Sequence, residues 1–513
     1  MSDAPKVDAA SVLACAALLE AIAADRGALA SVDQATRRRL IEAAGRVSRP
    51  ERDDQRKLAK AFRRKDRGER RDGDERLLGA TGIRELRRAP VFPTPAPIGP
   101  PRLASVEATG ERARGDEPEL DEARKCYVCK ASFTRLHHFY DQLCPQCAAL
   151  NWGKRNQTAD LRGRVAVVTG ARVKIGYQAS ILLLRAGARV LATTRFPRDA
   201  AARYANEPDF EEFRERLDVV GLDLRHTPSV EAFARHASDA CARLDFVVHN
   251  ACQTVRRPAG WYAHLLAREE APFASLPEGD RAVLERYEAL RGGAGGPALA
   301  RANEPSHAAR APGLADPALL SQLALLDEDR GGGAMFPAGA LDQDLQQVDL
   351  RDANSWRMAL ADVPTVELLE VLLVNAVAPF VLNAKLKPLM LRAPSRDKHI
   401  VNVSAMEGQF YRSFKTDKHP HTNMAKAALN MMTRTSAVDY AKDGIHMNSV
   451  DTGWVTDEDP AHLAARKVDE HRFHPPLDIV DGAARIVDPI INGRNTGQHV
   501  WGLFLKDYKP TDW

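Results

Sequence analysis

The stretch RVAVVTGARVKIG (residues 164–176) decides the fold, because in it an apolar strand pattern runs into a glycine-containing turn. Residues 164–170 are mostly apolar and β-branched, and QASILLLRAGA (178–188) then follows a helical pattern. A sharp turn at such a junction brings backbone amides and a helix N-terminus up to a phosphate, which requires small residues at the turn and where the helix packs. Gly170 and Gly176 stand at these positions, so the sequence predicts a phosphate-binding loop.

Strand and helix patterns continue to alternate after this loop. Further strands are predicted at RVLATTR, LDVVGLDL and LDFVVHNA, and the pattern resumes after residue 345 with strands KHIVNVSA and IHMNSVDTG. This alternation is typical of a doubly wound parallel α/β sheet, a Rossmann fold. We therefore predict a Rossmann domain over residues 161–513, with a long insert at about 256–345 that acts as a lid or as a flexible surface elaboration.

Composition narrows the class of protein. A chain of 513 residues exceeds what one hydrophobic core usually spans, so two or more folding units are expected. Lys+Arg 73 against Asp+Glu 69 is too balanced to predict a nucleic-acid or membrane partner for the whole chain. The N-terminus lacks secretory features, and no run approaches about 18 consecutive apolar residues. We therefore expect a soluble, cytoplasmic protein.

The region before the Rossmann domain has three predicted parts. Residues 1–48 carry two amphipathic helix patterns, with Asp33 as a candidate cap of the second. Residues 49–124 are dense in mixed charge and then rich in proline, which predicts a solvated or disordered linker. Residues 125–160 are predicted to form a small zinc-binding module.

The metal prediction rests on two C-x2-C pairs that are separated by fourteen residues. Each pair can hold one side of a tetrahedral ion from a tight turn, and four thiolates fill its coordination sphere. The expected role of zinc is therefore structural. The ligands are Cys126, Cys129, Cys144 and Cys147. His137 and His138 are alternative ligands, although surface or packing roles are commoner for such histidines.

From about residue 161 to the end, apart from the insert, the sequence resembles the short-chain dehydrogenase/reductase family. The cofactor loop of that family, T-G-x-x-x-G-x-G, is matched at Thr169, Gly170 and Gly176, while Lys174 replaces the middle glycine. HNAC (249–252) is similar to the N-N-A-G motif of the family, and DTGWVTD (451–457) is similar to its P-G-x-V-x-T loop, which touches the nicotinamide amide.

The resemblance implies a nicotinamide dinucleotide cofactor. The residues that it assigns to cofactor binding are Gly170, Arg172, Lys174, Ile175, Gly176, Arg195, Asp223, Leu224, Asn250, Ala251, Lys426, Gly453, Val455 and Thr456. The second strand ends in Arg195 rather than in an acid, which favours the 2′-phosphate of NADP over NAD. Arg172 and Lys174 add positive charge in the loop below. The alternative, NAD with Arg195 as a surface residue, stays open.

The catalytic residues of the family are matched in part. The resemblance implies that Ser404 holds the substrate oxygen, that Asn375 holds a water relay and that Lys426 binds the nicotinamide ribose. The family's tyrosine, one turn before the lysine, is replaced by Thr422, and an aliphatic hydroxyl is a far poorer acid than a phenol.

Three hypotheses account for this replacement. The first makes a histidine the proton donor, either His421 or His419, which stands seven residues before the lysine as the tyrosine of related enoyl reductases does. The second makes Tyr411 the donor, folded back from the loop after the serine. The third is that catalysis has been lost.

Two functions follow from these alternatives. The first is an NADP-dependent oxidoreductase that transfers hydride to or from a carbonyl or activated double bond of a small molecule. The second is a non-catalytic NADP-binding sensor that recruits a protein partner through its N-terminal helices and zinc module. The resemblance also suggests a homo-oligomer, and no nucleic acid or membrane partner is expected. Arg256 and Arg257 at the start of the insert either bind an acidic substrate or pair with nearby carboxylates.

Overall fold

The computed structural model of the protein describes residues 7–97, 117–291, 314–331, 333–411 and 415–513. The chain divides into two units, Met1–Glu75 and Arg76–Trp513. Residues 98–116 of the predicted linker and the glycine-rich part of the insert (292–313) lie outside the described residues.

The first unit is helical. It contains α1 (Ala9–Ala24), α2 (Gln34–Ser48) and most of α3 (Arg52–Gly79). The Asp33 carboxylate accepts a hydrogen bond from the backbone N–H of Thr36 at 3.0 Å, as the capping prediction requires. Residues 52–79, which we predicted to be part of a solvated linker, instead form the long helix α3. Opposite charges on α3 stand three or four residues apart, as in the pair of the Lys57 ammonium and the Asp54 carboxylate at 3.2 Å. Such ion pairs stabilise a helix that buries little surface.

The second unit holds the remaining elements. Its helices are α4 (Gly82–Arg88), α5 (Pro145–Arg155), α6 (Lys174–Arg185), α7 (Pro197–Ala205), α8 (Phe210–Phe213), α9 (Thr227–Ala240), α10 (Ala263–Glu270), α11 (Glu278–Arg291), α12 (Pro317–Leu320), α13 (Thr365–Leu372), α14 (Ala378–Leu391), α15 (Pro420–Lys442), α16 (Ala461–His471) and α17 (Ile479–Thr496). Its strands are β1 (Glu119–Lys125), β2 (Ser132–Arg135), β3 (Val165–Thr169), β4 (Arg189–Thr194), β5 (Leu217–Gly221), β6 (Phe246–His249), β7 (Lys398–Ser404), β8 (Ile445–Asp451), β9 (Phe504–Lys506) and β10 (Lys509–Thr511).

Eight strands form one sheet in the order β10-β9-β8-β7-β6-β3-β4-β5. All neighbours in it are parallel except the terminal pair β9 and β10. Strands β3 and β5 are buried at every position, which explains their continuous apolar, β-branched pattern. The predicted doubly wound Rossmann fold is confirmed. Because the strand order reverses between β3 and β6, ligands are expected beyond the carboxyl ends of these strands.

One helical stretch of the second unit is long and rich in apolar residues. Thr365–Leu391 joins α13 and α14 through a π-helical turn, Leu373–Val377. It has 27 residues, and by length and composition alone it is long and apolar enough to cross a membrane. Such a helix is weak evidence for a membrane span, because buried core helices have the same composition. Leu382 and Leu386 of this stretch are fully buried in the core beneath the sheet.

The cysteine-containing segment packs directly on the Rossmann domain. Strands β1 and β2 form a separate antiparallel hairpin, and α5 follows it. Cys126 and Cys144 of this segment share one buried apolar cluster with Val455 and Leu477 of the Rossmann domain. The Arg155 guanidinium reaches Asp478 at the start of α17 through two hydrogen bonds of 2.6 and 2.8 Å. The segment is therefore part of the second unit.

Candidate functional site

A cavity of about 1050 Å³ lies at the carboxyl ends of the central strands. This volume slightly exceeds the range of about 300–1,000 Å³ that is usual for small-molecule sites. Every residue predicted to bind the cofactor lines it. These residues are Gly170, Arg172, Lys174, Ile175, Gly176, Arg195, Asp223, Leu224, Asn250, Ala251, Lys426, Gly453, Val455 and Thr456.

The loop between β3 and α6 has the geometry of a phosphate-binding turn. Gly170 has a φ of +67°, and a Cβ there would lie 2.8 Å from the Cα of Ala251. A Cβ on Gly176 would lie 2.2 Å from the Nδ2 atom of Asn250, so only glycine fits. The Asn250 amide donates to the carbonyl oxygen of Gly170 at 3.1 Å, and the Thr169 hydroxyl accepts from the N–H of Ala251 at 3.1 Å. These contacts hold the turn open toward the cavity.

Lys174 occupies the place of the family's middle glycine. It begins α6 with a φ of +55°, a conformation that a glycine would adopt without strain. Burial alone would lower the pKa of Lys174, but the carboxylates of Glu458, Asp344 and Asp342 raise it above its ordinary value. The ammonium group therefore stays charged in the cavity wall, where it can attract an anion.

Arg195 and Arg172 differ in their availability. Arg195 donates to the Tyr262 hydroxyl at 2.6 Å and lies 4.7 Å from the centre of that ring. It forms no ion pair within the described part of the chain. Arg172, predicted to add charge for a phosphate, is held by Asp199 at 2.7 Å and by Gln346 at 2.6 Å. Arg195 is therefore the better placed guanidinium for a 2′-phosphate.

Two other predicted cofactor contacts are engaged within the protein. The Asp223 carboxylate is buried and lies 2.7 Å from the guanidinium of Arg225. Burial would raise the pKa of Asp223, but the hydrogen bonds and charge of Arg225 lower it below the ordinary value, so the carboxylate is ionised. The Thr456 hydroxyl donates to Glu458 at 2.7 Å. Neither side chain is free for a ligand in this arrangement.

Ser404 and Lys426 are brought together as predicted. Ser404 ends β7, is buried, and its hydroxyl has no hydrogen-bond partner among the described residues. The Lys426 ammonium, on α15, donates to the carbonyl oxygen of Val403 at 2.8 Å, one residue before the serine. Both side chains line the cavity, so a substrate oxygen and a ribose can be held side by side.

His419 also lines this end of the cavity. It caps α15 in a left-handed conformation, with φ 43° and ψ 50°, ahead of Pro420 at the first helical position. Its ring stacks on Trp356 at 3.9 Å with an interplanar angle of 7°. The buried Nδ1 atom has no hydrogen-bond partner among the described residues. Burial lowers the pKa of His419, although Glu407 opposes this effect. The ring is therefore neutral at neutral pH.

The structure does not bring the other candidate catalytic residues into the cavity. Tyr411 is 98% exposed and points to solvent. Thr422 and His421 are buried behind the cavity wall, and His421 faces Glu367 at 3.4 Å. The Asn375 side chain makes two hydrogen bonds to the backbone of Gln253. Its amide oxygen accepts from the Gln253 N–H at 2.8 Å, and its amide nitrogen donates to the Gln253 carbonyl oxygen at 3.1 Å. Asn375 therefore holds the cavity-lining residue Gln253, and its part in a water relay stays a prediction.

The arginines at the start of the insert pair with carboxylates. Arg256 is buried and contacts Asp329 at 2.7 Å and Glu370 at 3.2 Å. Arg257 contacts Asp349. The structure therefore shows these arginines paired within the protein rather than free for an acidic substrate. These contacts fasten the insert to α13 beside the cavity.

The four predicted metal ligands converge. The Sγ atoms of Cys126, Cys129, Cys144 and Cys147 all lie within 4.8 Å of one another. Cys129 and Cys144 are 3.7 Å apart at sulfur. Zn–S bonds of about 2.3 Å in a tetrahedron place sulfurs about 3.8 Å apart, so the cluster fits a zinc ion. His137 is not a member of this cluster of described residues. Its Nδ1 atom instead accepts a hydrogen bond from the N–H of Phe139 at 3.1 Å.

Tyr127 is one of the cavity residues that the sequence reasoning missed. Tyr127, which lies between the first two cysteines, lines the cavity beside Gly453 and Trp454. Its hydroxyl accepts from the backbone N–H of Trp454 at 2.9 Å. The only signal in the sequence was an aromatic residue inside a C-x2-C turn, which is too common to predict such a contact.

Comparison with known proteins identifies the family in two segments. The family model for short-chain dehydrogenases matches residues 164–264, and the model for enoyl-(acyl carrier protein) reductases matches residues 352–474. The unmatched interval between them falls within and just beyond the insert.

Two relatives illustrate the extent of the similarity. R665 of Acanthamoeba polyphaga mimivirus, itself uncharacterised, is 30% identical over 386 residues, which cover 72% of this chain and 71% of the viral protein. Dehydrogenase/reductase SDR family member 13 of Bos taurus is 38% identical over 104 residues, which cover 20% of this chain and 27% of that protein.

Solved structures are more distant. The RhlG/NADP active-site complex of Pseudomonas aeruginosa is 17% identical with a TM-score of 0.40 and covers 68% of this chain and 95% of that one. A short-chain dehydrogenase/reductase of Burkholderia multivorans with bound NADP is 15% identical, also with a TM-score of 0.40, and covers 68% and 99%. Structural similarity with a TM-score of 0.40 carries no argument about the function of this chain. The strand order, the phosphate-binding turn, the position of Lys426 beside the strand end that carries Ser404 and the two family matches agree, and residues 164–264 and 352–474 of the chain are those that match the short-chain dehydrogenase/reductase family.

Proposed function

We propose that the protein is an NADP-dependent oxidoreductase that transfers hydride to or from a carbonyl group or an activated double bond. The observation that carries this proposal is that the glycine turn, Arg195, Ser404, Lys426 and His419 all line one cavity. NADP, when bound, supplies a nicotinamide ring that accepts or gives up the hydride.

The residues fit the dinucleotide from one end of the cavity to the other. The turn between Gly170 and Gly176 receives the pyrophosphate at the N-terminus of α6. Arg195, which has no ion-pair partner among the described residues, receives the 2′-phosphate. At the other end, Lys426 holds the ribose, and the Gly453–Thr456 loop meets the nicotinamide amide.

His419 is the candidate for proton transfer in this proposal. Its neutral ring accepts a proton more readily than it donates one, so the oxidation of an alcohol is the direction it suits at neutral pH. Ser404 orients the substrate oxygen while His419 takes the hydroxyl proton. In the reverse direction, the protonated ring returns the proton to the substrate oxygen. The rate of carbonyl reduction therefore rises as the pH falls toward the pKa of His419.

The test compares three variants on a panel of alcohols with NADP. His419→Ala is expected to lower kcat by about a hundredfold or more and to change the dissociation constant of NADPH by less than about twofold. Tyr411→Phe is the matched control, and it should leave kcat unchanged because the ring is 98% exposed. Ser404→Ala should also lower kcat. Full turnover in His419→Ala, or its loss in Tyr411→Phe, would contradict the assignment.

A second candidate function is a non-catalytic NADP-binding sensor. The observation that favours it is Thr422, which replaces the family's tyrosine and does not line the cavity. α1 has no buried residue and exposes Leu13 at 71%, which suits a helix that binds a protein partner. Binding of NADPH without turnover of any carbonyl or alcohol by the wild type would support this candidate over the enzyme.

The remaining proposals concern the metal, the location and the assembly. We propose that zinc fills the four-cysteine site with a structural role, since four thiolates leave no open position. A thiolate site suits a reducing compartment, in keeping with a cytoplasmic location. One zinc per chain by elemental analysis tests the first point, and sedimentation of the purified chain tests for a homo-oligomer.

A further inference from the structure

Tyr127 links the four-cysteine module to the cofactor cavity. It stands in the turn between Cys126 and Cys129 and lines the cavity. Its hydroxyl accepts from the Trp454 N–H at 2.9 Å, and a Cβ on Gly453 would lie 3.4 Å from it. The phenol therefore rests against the loop that follows β8, at the end of the cavity that contains Ser404 and Lys426.

Further contacts fix the phenol in this position. The backbone N–H of Tyr127 donates to the carbonyl oxygen of Gln142 at 2.9 Å, within the module. The Lys506 ammonium lies 5.6 Å from the centre of the Tyr127 ring and 3.3 Å from the Asp451 carboxylate. Asp451 pairs in register with Ser404 on the adjacent strand. The tyrosine therefore contacts the loop after β8 and the end of β9, next to the strand that ends in Ser404.

The module and the loop also share a core. Cys126 and Cys144 are buried in the same apolar cluster as Val455 and Leu477. The Gln142 amide donates to the carbonyl oxygen of His474 at 2.6 Å. Because well-packed cores transmit small displacements, a change in the geometry of the cysteines moves the loop as well.

We propose that the four-cysteine module is a built-in part of the dinucleotide site and that Tyr127 is a positioning residue for the Gly453–Thr456 loop. Metal binding at the cysteines fixes the turn that carries Tyr127, and the phenol holds the Trp454 N–H and its loop in place for the nicotinamide end of the cofactor. Metal and dinucleotide therefore favour each other's binding, by the same factor in both directions. This inference rests on the proposed NADP site, but it does not require turnover.

The test measures the binding of NADPH to the full, zinc-loaded chain by calorimetry. Tyr127→Phe is expected to raise the dissociation constant about threefold to tenfold, the effect of losing the hydrogen bond that the phenol makes with the loop. Tyr140→Phe is the matched control. It removes a phenol hydroxyl from the same module, one that donates to Asp481 at 2.5 Å but does not line the cavity. Its dissociation constant should stay within about twofold of the wild type.

A second measurement reports on the metal itself. Cobalt(II) in place of zinc gives absorption bands that depend on the geometry of the four thiolates. We expect these bands to change when NADPH is added to the wild type and to remain constant in Tyr127→Phe. Removal of the metal by a chelator should weaken NADPH binding, and NADPH should slow that removal.

The outcomes separate the inference from the proposed function. Equal NADPH affinity in the wild type and Tyr127→Phe, or an equal loss in Tyr140→Phe, would overturn the inference. Cobalt absorption bands that do not change when NADPH is added to the wild type would also overturn the inference. A wild type that binds NADPH, responds to Tyr127→Phe and never turns over would support the inference while the enzymatic proposal fails. If the wild type binds no dinucleotide, both fail.

Discussion

The substitution Arg195→Ala tests the choice of cofactor. The guanidinium hydrogen bonds to the Tyr262 hydroxyl at 2.6 Å and forms no ion pair among the described residues, so its charge is available to a ligand. A charge-assisted hydrogen bond contributes about 1.5–3 kcal/mol, which corresponds to a factor of roughly 10 to 150 in affinity. We expect Arg195→Ala to raise the dissociation constant of NADPH by this factor and to leave that of NADH within about threefold.

The assay is calorimetric titration of both nucleotides into wild type and variant. NADH serves as an internal control, because it lacks the 2′-phosphate but occupies the rest of the site. Any general loosening of the cavity weakens both nucleotides alike, whereas loss of the phosphate contact lowers only the ratio of their affinities. A ratio that does not change on substitution would refute the assignment of Arg195 and favour NAD.

Three further predictions concern the turn, a buried histidine and the cysteines. Gly176→Ala should weaken NADPH binding about tenfold or more by calorimetry, because its Cβ would meet Asn250 at 2.2 Å. Burial lowers the pKa of His249 to about 4, so its contribution to the free energy of unfolding is complete above about pH 6.5 and is lost as the pH falls toward 4, by about 3 kcal/mol. Urea unfolding at several pH values should show a slope in this window, and His249→Gln should reduce it by the His249 contribution. Cys147→Ser should lower both the zinc content and the thermal midpoint, the latter by about 5 °C or more; an unchanged midpoint would argue against a structural metal.

The sequence predicted the fold and the cofactor end of the site because these depend on short segments. Gly170 and Gly176 are required by a turn whose two sides lie within one strand–turn–helix unit. Asn250 follows the neighbouring strand, and parallel strands end at the same edge of the sheet. In the first case local spacing carries the information, and in the second the parallel order of the strands does.

Other parts could not be predicted, because the decisive partner lies far along the chain. The contact of Arg172 with Gln346, just after the insert, is one example. Tyr127 contacts Trp454, which lies 327 residues further along the chain. The charged segment at 52–79 was misread as a linker, since a pattern of alternating charges does not distinguish a solvated helix from an irregular chain.

The catalytic end lies between these cases. The serine and lysine were located by motif, and the structure joins them through the carbonyl oxygen of Val403. The proton donor depends on how the chain enters α15, where His419 takes a left-handed conformation that turns its ring onto Trp356. No pattern in the sequence predicts that stacking, and so the sequence left three hypotheses for the donor, of which His419 is the one that we propose.

The measurement that tests the central claim most directly is a calorimetric titration of NADPH into the full chain, with Lys426→Ala in parallel. We predict one NADPH site per chain and a dissociation constant that rises about tenfold in Lys426→Ala, because the buried ammonium lines the ribose end of the cavity. If neither NADPH nor NADH binds to the wild type, the cavity is not a dinucleotide site and the account is contradicted.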